Sequence, residues 1–365
     1  MKVVPTTAWL TVNRSCNFRC SWCYAKSDVF DNKDTLTMEL ALRLLTIIKE
    51  MGISHITLIG GEPTLWKYLM DFNTNCREMG IKSSLVTNAY RFGDDNFWSQ
   101  YIKNPNDKVS VSLKAFDNKS AMEFVGINNF ELMTTGIKRA ISEFNSGVSF
   151  LCNSFANGNL MSLARVAHEC GARSIAISPC TPSFSKEGVD IVGMLESGEL
   201  VASFTSEYEE MSNLFGNRLT FAIKTPLCIW PRNFIEKLIT RKQLRATCQL
   251  QHRSGIIFDP KGQVSACNSL ANFPIGIIDK NYNNAESLIQ ILNSDNVVRV
   301  YNHINSYPSE VCINCPDNSI CRGGCPLMWS VYDPKKHIPG WNMGEKQKGG
   351  DKNGQAAGAH LGNRD

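Results

Sequence analysis

The stretch Cys16-Asn-Phe-Arg-Cys20-Ser-Trp-Cys23-Tyr24 decides how the rest of this chain reads. Its three cysteines, at CxxxCxxC spacing, supply thiolates for three irons of a [4Fe–4S] cluster and leave the fourth iron without a protein ligand. An open iron is a place to bind and reduce something. A zinc site would call for a fourth nearby Cys or His. The next histidine, His55, lies well outside the loop, which disfavours zinc.

Two features upstream and downstream agree with this reading. The loop follows an apolar run, Ala8-Trp-Leu-Thr-Val12, and a second run, Ile56-Thr-Leu-Ile59, leads into Gly60-Gly61-Glu62-Pro63. A further cysteine cluster closes the chain. Together these resemble the radical S-adenosylmethionine (SAM) enzymes, many of which carry an aromatic residue beside the last loop cysteine, here Tyr24. The resemblance implies that SAM chelates the open iron through its amino and carboxylate groups. One electron then cleaves its C5′–S bond and yields a 5′-deoxyadenosyl radical. It places Tyr24 near the adenine, and Gly60, Gly61 and Glu62 at the SAM amino group. Glycines let a backbone approach a ligand closely, and a glutamate can accept from an ammonium.

The bulk numbers fit a soluble protein of one large domain and a smaller one. The chain has 365 residues, 43% hydrophobic and 20% charged, with a net charge of +4. That charge is too small to argue for nucleic acid or a membrane. No apolar run is long enough to span a bilayer, and no signal-peptide core precedes the first strand. A cytoplasmic location is therefore expected. In a reducing cytosol the clustered members of the 14 cysteines read as metal ligands. Cys76, Cys152, Cys170 and Cys180 sit in apolar or helical contexts and read as core.

Apolar, β-branched runs recur at Ala8–Val12, His55–Ile59, Ser83–Thr87, Lys108–Leu113, Val148–Phe155 and Ser174–Ile177. Helix-period segments lie between them at Met38–Met51, Trp66–Met79, Phe130–Phe144 and Asn159–Cys170. Thr37 is an expected N-cap and Gly52 an expected stop. Repeated βα units predict a parallel sheet with helices outside. Six units are too few for an eight-stranded barrel, and the resemblance implies a partial (β/α)6 barrel of the TIM type, class α/β. The expected division is a barrel at 1–223, a bridge at 224–246, a Cys-rich domain at 247–342 and a disordered tail at 343–365. Pro182 and Gly188 mark a loop, a helix is expected over Glu196–Phe215, and Ile256–Val264 reads as a β-hairpin.

Chemistry in α/β folds gathers at strand C-terminal ends. Thr87, Asn88, Ser112, Lys114 and Asn153 fall there, able to contact SAM or substrate, or else to cap helices and turns. Lys114 departs from many relatives, which carry an acidic residue at this point.

The C-terminal set runs Cys248, Gly262, Cys267, then Cys312-x2-Cys315-x5-Cys321-x3-Cys325. It resembles the SPASM domain, which in family members holds two auxiliary [4Fe–4S] clusters, making three in all. The family pattern implies cluster I on Cys248, Cys267 and Cys325, with Cys228 the candidate that completes it. It implies cluster II on Cys312, Cys315 and Cys321. The family adds a further downstream cysteine that this chain lacks, which leaves cluster II an open iron or an unusual ligand such as Asp333 or His337.

SPASM members mostly modify peptides or proteins. Anaerobic sulfatase-maturing enzymes share the Gly60–Leu65 run but carry a catalytic aspartate where this chain has Asn268, and a neutral amide cannot take up a proton as a carboxylate does. The expected activity is a maturase that abstracts hydrogen from a ribosomal precursor peptide, forming a crosslink or oxidised residue. Asp117, Glu123 and Asp190 are unranked candidates for a base. An electron donor such as flavodoxin or ferredoxin is implied. With no fused leader-binding domain expected, the leader would bind the barrel and SPASM surface or a separate protein. The alternatives are a small-molecule radical SAM dehydrogenase, a sulfatase-type maturase and a non-catalytic zinc-binding protein.

Overall fold

A computed structural model describes residues 2–26, 31–246, 248–306, 312 and 314–337 of the chain. The tail expected at 343–365 lies outside these. Strands β1 (Thr7–Thr11), β2 (His55–Ile59), β3 (Lys82–Thr87), β4 (Lys108–Ser112), β5 (Val148–Cys152) and β6 (Ile175–Pro179) lie side by side in sequence order, every pair parallel. Predicted helices form four of the five crossovers, and the fold is an α/β partial barrel-like sheet.

The sequence dictates these elements locally. Thr37 accepts from Leu40 N to open the helix Met38–Glu50, which buries Ala41, Leu44, Leu45, Ile47 and Ile48 against the sheet. Gly52, at φ +80°, ends it. Successive strand residues face opposite sides. Leu10, Leu58, Leu85 and Phe150 are buried in the core, while their neighbours Trp9, Thr57, Val86 and Leu151 face a central cavity.

Three elements differ from expectation. The helix read as Trp66–Met79 starts at Leu69, because Pro63–Leu65 form a separate 3-10 turn capped by Glu62. The helix over 196–215 is broken at Glu207 into Ser197–Ser206 and Tyr208–Phe215. A helix at Asp95–Tyr101, capped by Asp94, was not expected.

The sheet also does not stop at six strands. After a small hairpin of β7 (Ser183–Ser185) and β8 (Gly188–Asp190), β9 (Leu219–Ala222) pairs parallel with β6, and β10 (Leu244–Arg245) with β9. These strands are too short for their periodicity to register in sequence. On the far side β11 (Gly255–Phe258) pairs parallel with β1, bringing Phe258 opposite Leu10. It turns through Asp259–Gly262 into antiparallel β12 (Gln263–Ser265), followed by β13 (Gly276–Ile277). The predicted hairpin is there, and it extends the barrel sheet.

Candidate functional site

The strands surround one cavity of about 1560 Å³, reaching from Thr7 and His55 to Gly60, Ser112 and the cysteine loops. Pockets for a single small ligand are about 300–1,000 Å³, so this one has room for more than one molecule.

Cys16, Cys20 and Cys23 all line it. Their loop is pinned at both ends, by Arg14 N donating to Asp34 O and Arg19 N to Val125 O, both at 2.9 Å. Phe18 N donates to Cys16 Sγ at 3.3 Å, the kind of hydrogen bond that tunes a cluster thiolate. Asn17 Nδ2 is buried without a partner among the described residues. A spare donor beside three thiols suits a sulfur-rich anionic group, so the donor set fits the cluster. Tyr24 lines the cavity too. Burial, then the neighbouring Cys23 sulfur, raise its phenol, and Cys267 pushes the same way more weakly. It shares that wall with Cys23 and Cys267.

The glycines of the Gly-Gly-Glu turn pack closely on the chain itself. A Cβ on Gly60 would lie 2.3 Å from Asn13 Oδ1, and one on Gly61 2.2 Å from Ser15 O. The close approach is thus to the chain's own entry into the cysteine loop. Gly61 N donates to Asn13 O at 2.9 Å, and Glu62 N to Ser15 O at 2.8 Å. Asn13 Nδ2 closes the joint on Glu62 O at 2.9 Å.

The Glu62 carboxylate is buried and heavily committed. Oε1 accepts from Thr64 N at 3.1 Å, Thr64 Oγ1 at 2.8 Å and Thr87 Oγ1 at 2.7 Å. Oε2 accepts only from Asn88 N, at 2.8 Å. A carboxylate oxygen has two lone-pair sites, so Oε2 is the atom able to take one more donor from the cavity. Burial raises this carboxyl above its ordinary range, while the Asn88, Thr87 and Thr64 donors pull it back.

The other predicted residues divide. Asn88 and Ser112 line the cavity with Thr87 and Lys114. The Asn88 amide is already used, Nδ2 on Asn17 Oδ1 at 2.9 Å and Oδ1 on Tyr90 N at 3.0 Å. Lys114 Nζ donates to Ser112 Oγ at 3.1 Å. Asn153 does not line the main cavity; its Oδ1 accepts from Phe155 N and Ala156 N, a turn role. The three base candidates are exposed and off the cavity wall. Asp117 caps a short helix through Ser120 N, and Asp190 takes Val192 N; Glu123 lies on an exposed helical turn.

Sequence reasoning missed several lining residues. His55, Lys224 and Arg245 all reach the cavity. None of Lys114, Lys224 and Arg245 is in an ion pair among the described residues. Among the described residues the only lining carboxylates are Asp31 and the committed Glu62, so this part of the wall is cationic. Arg245 lies in a strand too short to be read from sequence.

The C-terminal cysteines form two groups. Cys248, Cys267 and Cys325 line the cavity. A hydrogen bond from Cys325 favours the thiolate of Cys248. Cys228, expected beside them, does not line the cavity. Leu227 N donates to Cys321 Sγ at 3.3 Å. Burial and then the sulfurs of Cys321, Cys312 and Cys315 hold the Cys228 thiol above its ordinary range. The cause is backbone docking: a Cβ on Gly324 would lie 2.5 Å from Thr225 C, and Cys325 N donates to Lys224 O at 2.5 Å. His337 meets this second group through its carbonyl, 3.4 Å from Cys228 Sγ, while its ring packs on Tyr332. Asp333 is exposed. Among the described residues no three Cys, His, Asp or Glu are gathered to hold a single metal ion. A zinc ion draws its sulfurs to about 2.3 Å from one centre, whereas a four-iron cluster spreads its thiolates over separate irons.

Residues 10–153 match the Radical SAM superfamily, so this part of the chain carries a radical SAM domain, a family that implies SAM and a [4Fe–4S] cluster. A probable GTP 3',8-cyclase of Saccharolobus islandicus is 29% identical over 133 residues, 36% of this chain and 42% of that protein. Its counterpart in Thermococcus kodakarensis is 28% identical over 136 residues, 37% and 44%. The chain thus spans under half the length of these curated relatives. Among solved structures, anSMEcpe with bound AdoMet has a TM-score of 0.65 at 15% identity, covering 94% of this chain and 95% of that one. SuiB of Streptococcus suis bound to its precursor peptide SuiA has a TM-score of 0.62 at 16% identity, covering 90% and 73%. At such identities the likeness is one of fold.

Proposed function

We propose that this protein is a maturase that abstracts a hydrogen from a ribosomal precursor peptide, leaving a crosslink or an oxidised residue. The observation that carries the reading is that Cys16, Cys20 and Cys23 share one cavity with Cys248, Cys267 and Cys325. SAM bound on the first group would supply a 5′-deoxyadenosyl radical on one-electron reduction, and auxiliary clusters on the C-terminal cysteines would accept an electron from the substrate. The protein's part is to hold and enclose. In this reading Glu62 Oε2 and the Gly60–Gly61 turn would receive an ammonium, and Ser112 and Lys114 a carboxylate. The cavity has room for a peptide residue beside SAM, and Lys114, Lys224 and Arg245 favour a peptide carrying acidic side chains.

In this reading residues 1–223 are the radical SAM barrel, 224–246 a bridge and 247–342 a SPASM domain with two auxiliary clusters. The protein works in the cytoplasm with flavodoxin or ferredoxin as donor, and a separate protein or its own surface holds the leader. No helix among the described residues is long and apolar enough to cross a membrane.

The test is iron and sulfide analysis after anaerobic reconstitution, beside a C16A/C20A/C23A variant, then SAM cleavage with dithionite and a screen of precursor peptides. About twelve irons, falling by about four in the variant, are expected, with 5′-deoxyadenosine only from the unmutated protein and a mass change in a peptide. Near-stoichiometric zinc without SAM cleavage would overturn the radical chemistry. SAM cleavage coupled to oxidation of a small molecule, with every peptide unchanged, would overturn the peptide substrate.

A further inference from the structure

The two C-terminal cysteine groups are unequal. Three thiols reach the cavity, those of Cys248, Cys267 and Cys325. None of the other four, Cys228, Cys312, Cys315 and Cys321, lines it, and Cys228 directly follows the residue whose amide bonds Cys321 Sγ. Cys312, Cys315 and Cys321 come from the CxxC-x5-C run, and Cys228 comes from a 3-10 turn, Leu227–Ile229, far upstream. That turn is held in place by several contacts. Leu227 N donates to Cys321 Sγ at 3.3 Å. Arg232 pairs with Asp317 at 2.6 Å, clamping the following helix onto the loop between Cys315 and Cys321. Gly324 packs so tightly on Thr225 and Pro226 that a Cβ there would lie 2.5 Å and 2.6 Å from their backbone atoms. Moving Cys228 to the other group would break all of these.

We propose that Cys228 is the fourth protein ligand of the second auxiliary cluster, beside Cys312, Cys315 and Cys321, and that the first cluster, on Cys248, Cys267 and Cys325, keeps one iron without a cysteine at the cavity wall. This rests on the auxiliary-cluster reading above. It reverses the assignment implied by the family pattern, which gave Cys228 to the first cluster and left the second with an open iron or an unusual ligand. An open iron in the second cluster would lie away from substrate. In the first it lies in the same cavity as the three-cysteine loop, where a thiolate or water could complete it.

The experiment uses the full chain carrying C16A/C20A/C23A, so that only auxiliary iron remains, with about eight irons expected. Cys228→Ala is then added in two backgrounds. With Cys248→Ala and Cys267→Ala the second cluster is left alone. Here Cys228→Ala is expected to cut its roughly four irons to about three or fewer, and to change the reduced EPR signal. With Cys312→Ala and Cys315→Ala the first cluster is left alone, and Cys228→Ala is expected to change neither iron nor signal. The reverse pattern would overturn the assignment. So would loss in both backgrounds, which would mark Cys228 as structural, or no change in the first. Circular dichroism on each variant separates a lost ligand from a lost fold. If C16A/C20A/C23A itself holds no iron, the auxiliary-cluster reading falls and takes this proposal with it.

Discussion

The Thr87 hydroxyl donates to Glu62 Oε1 at 2.7 Å, tying the end of β3 to the turn after β2. With the Thr64 and Asn88 bonds, this makes Glu62 a strut between three segments of the cavity wall. Glu62→Gln keeps the shape but turns one oxygen into an NH2 group. That group cannot accept: at the Oε2 position it orphans Asn88 N, and at the Oε1 position it faces the Thr87 and Thr64 donors. Hydrogen bonds to a buried charge contribute about 1.5–3 kcal/mol each, and an orphaned partner costs about 1–3. Glu62→Gln is expected to lower unfolding free energy by about 2–3 kcal/mol, measured by urea unfolding without SAM. An unchanged midpoint with weakened SAM binding would show that Glu62 serves the ligand alone.

The two glycines before it predict a second effect. Gly61→Ala would drive a Cβ to 2.2 Å from Ser15 O and push the cysteine loop away from the sheet. Overpacking of this kind costs about 1–3 kcal/mol. Since the displaced backbone carries Cys16, reconstituted iron should also fall, by up to about four atoms. Gly80→Ala is the control. It sits at φ +71° with nothing within 4 Å of its would-be Cβ, so it should cost about 1–2 kcal/mol and leave iron intact. Equal iron in both variants would remove the link between the glycine turn and the loop.

His55 predicts a pH effect. It lines the cavity, with Ser84 Oγ 3.0 Å from Nε2. Burial, and then Lys108, hold its imidazole below its ordinary value of 6.5; Lys82 adds to this and Asp107 opposes it. The folded state therefore binds this proton less readily than the unfolded chain. The contribution to stability is present above about pH 6.5 and is lost as pH falls through the lower folded value. An NMR titration of the His55 ring should show a midpoint below 6.5, and a midpoint at or above it would contradict the buried placement.

What could be read from sequence was whatever the chain connects directly. The CxxxCxxC loop, the runs that became β1 to β6 and the Thr37 and Gly52 signals are local, and their spacing is covalent. What failed depends on distant segments meeting. Gly60 and Gly61 announced a close approach, but sequence does not say whether the partner is a ligand or residues 13–15. Cys228 was assigned from a family pattern, whereas the docking of 224–228 on 321–325 joins segments far apart in the chain. Strands β9 and β10 are four and two residues long, below the length at which alternation is a signal. Asn153, read at a strand end, and Asp117, read as a base candidate, both hold local turn or cap hydrogen bonds, a use of polar side chains that sequence does not separate from ligand contact.

The pairing of β11 with β1 gives the last prediction. Thr7, Ala8, Trp9 and Leu10 lie opposite Gly255, Ile256, Ile257 and Phe258 in a parallel ladder. A chain cut after residue 246 would keep the entire strand run β1 to β10, yet would turn β1 into a free edge. Its Ala8 and Leu10 are buried, and a flat apolar edge is a template for pairing with another chain. The truncated protein is expected to aggregate or elute as oligomers on size-exclusion chromatography. The full chain should unfold in one transition at both the barrel and the C-terminal cysteine region, followed by Trp fluorescence and thiol exposure. A monomeric truncated barrel, or two separated transitions, would show that the C-terminal domain is an appendage to a sheet that closes without it.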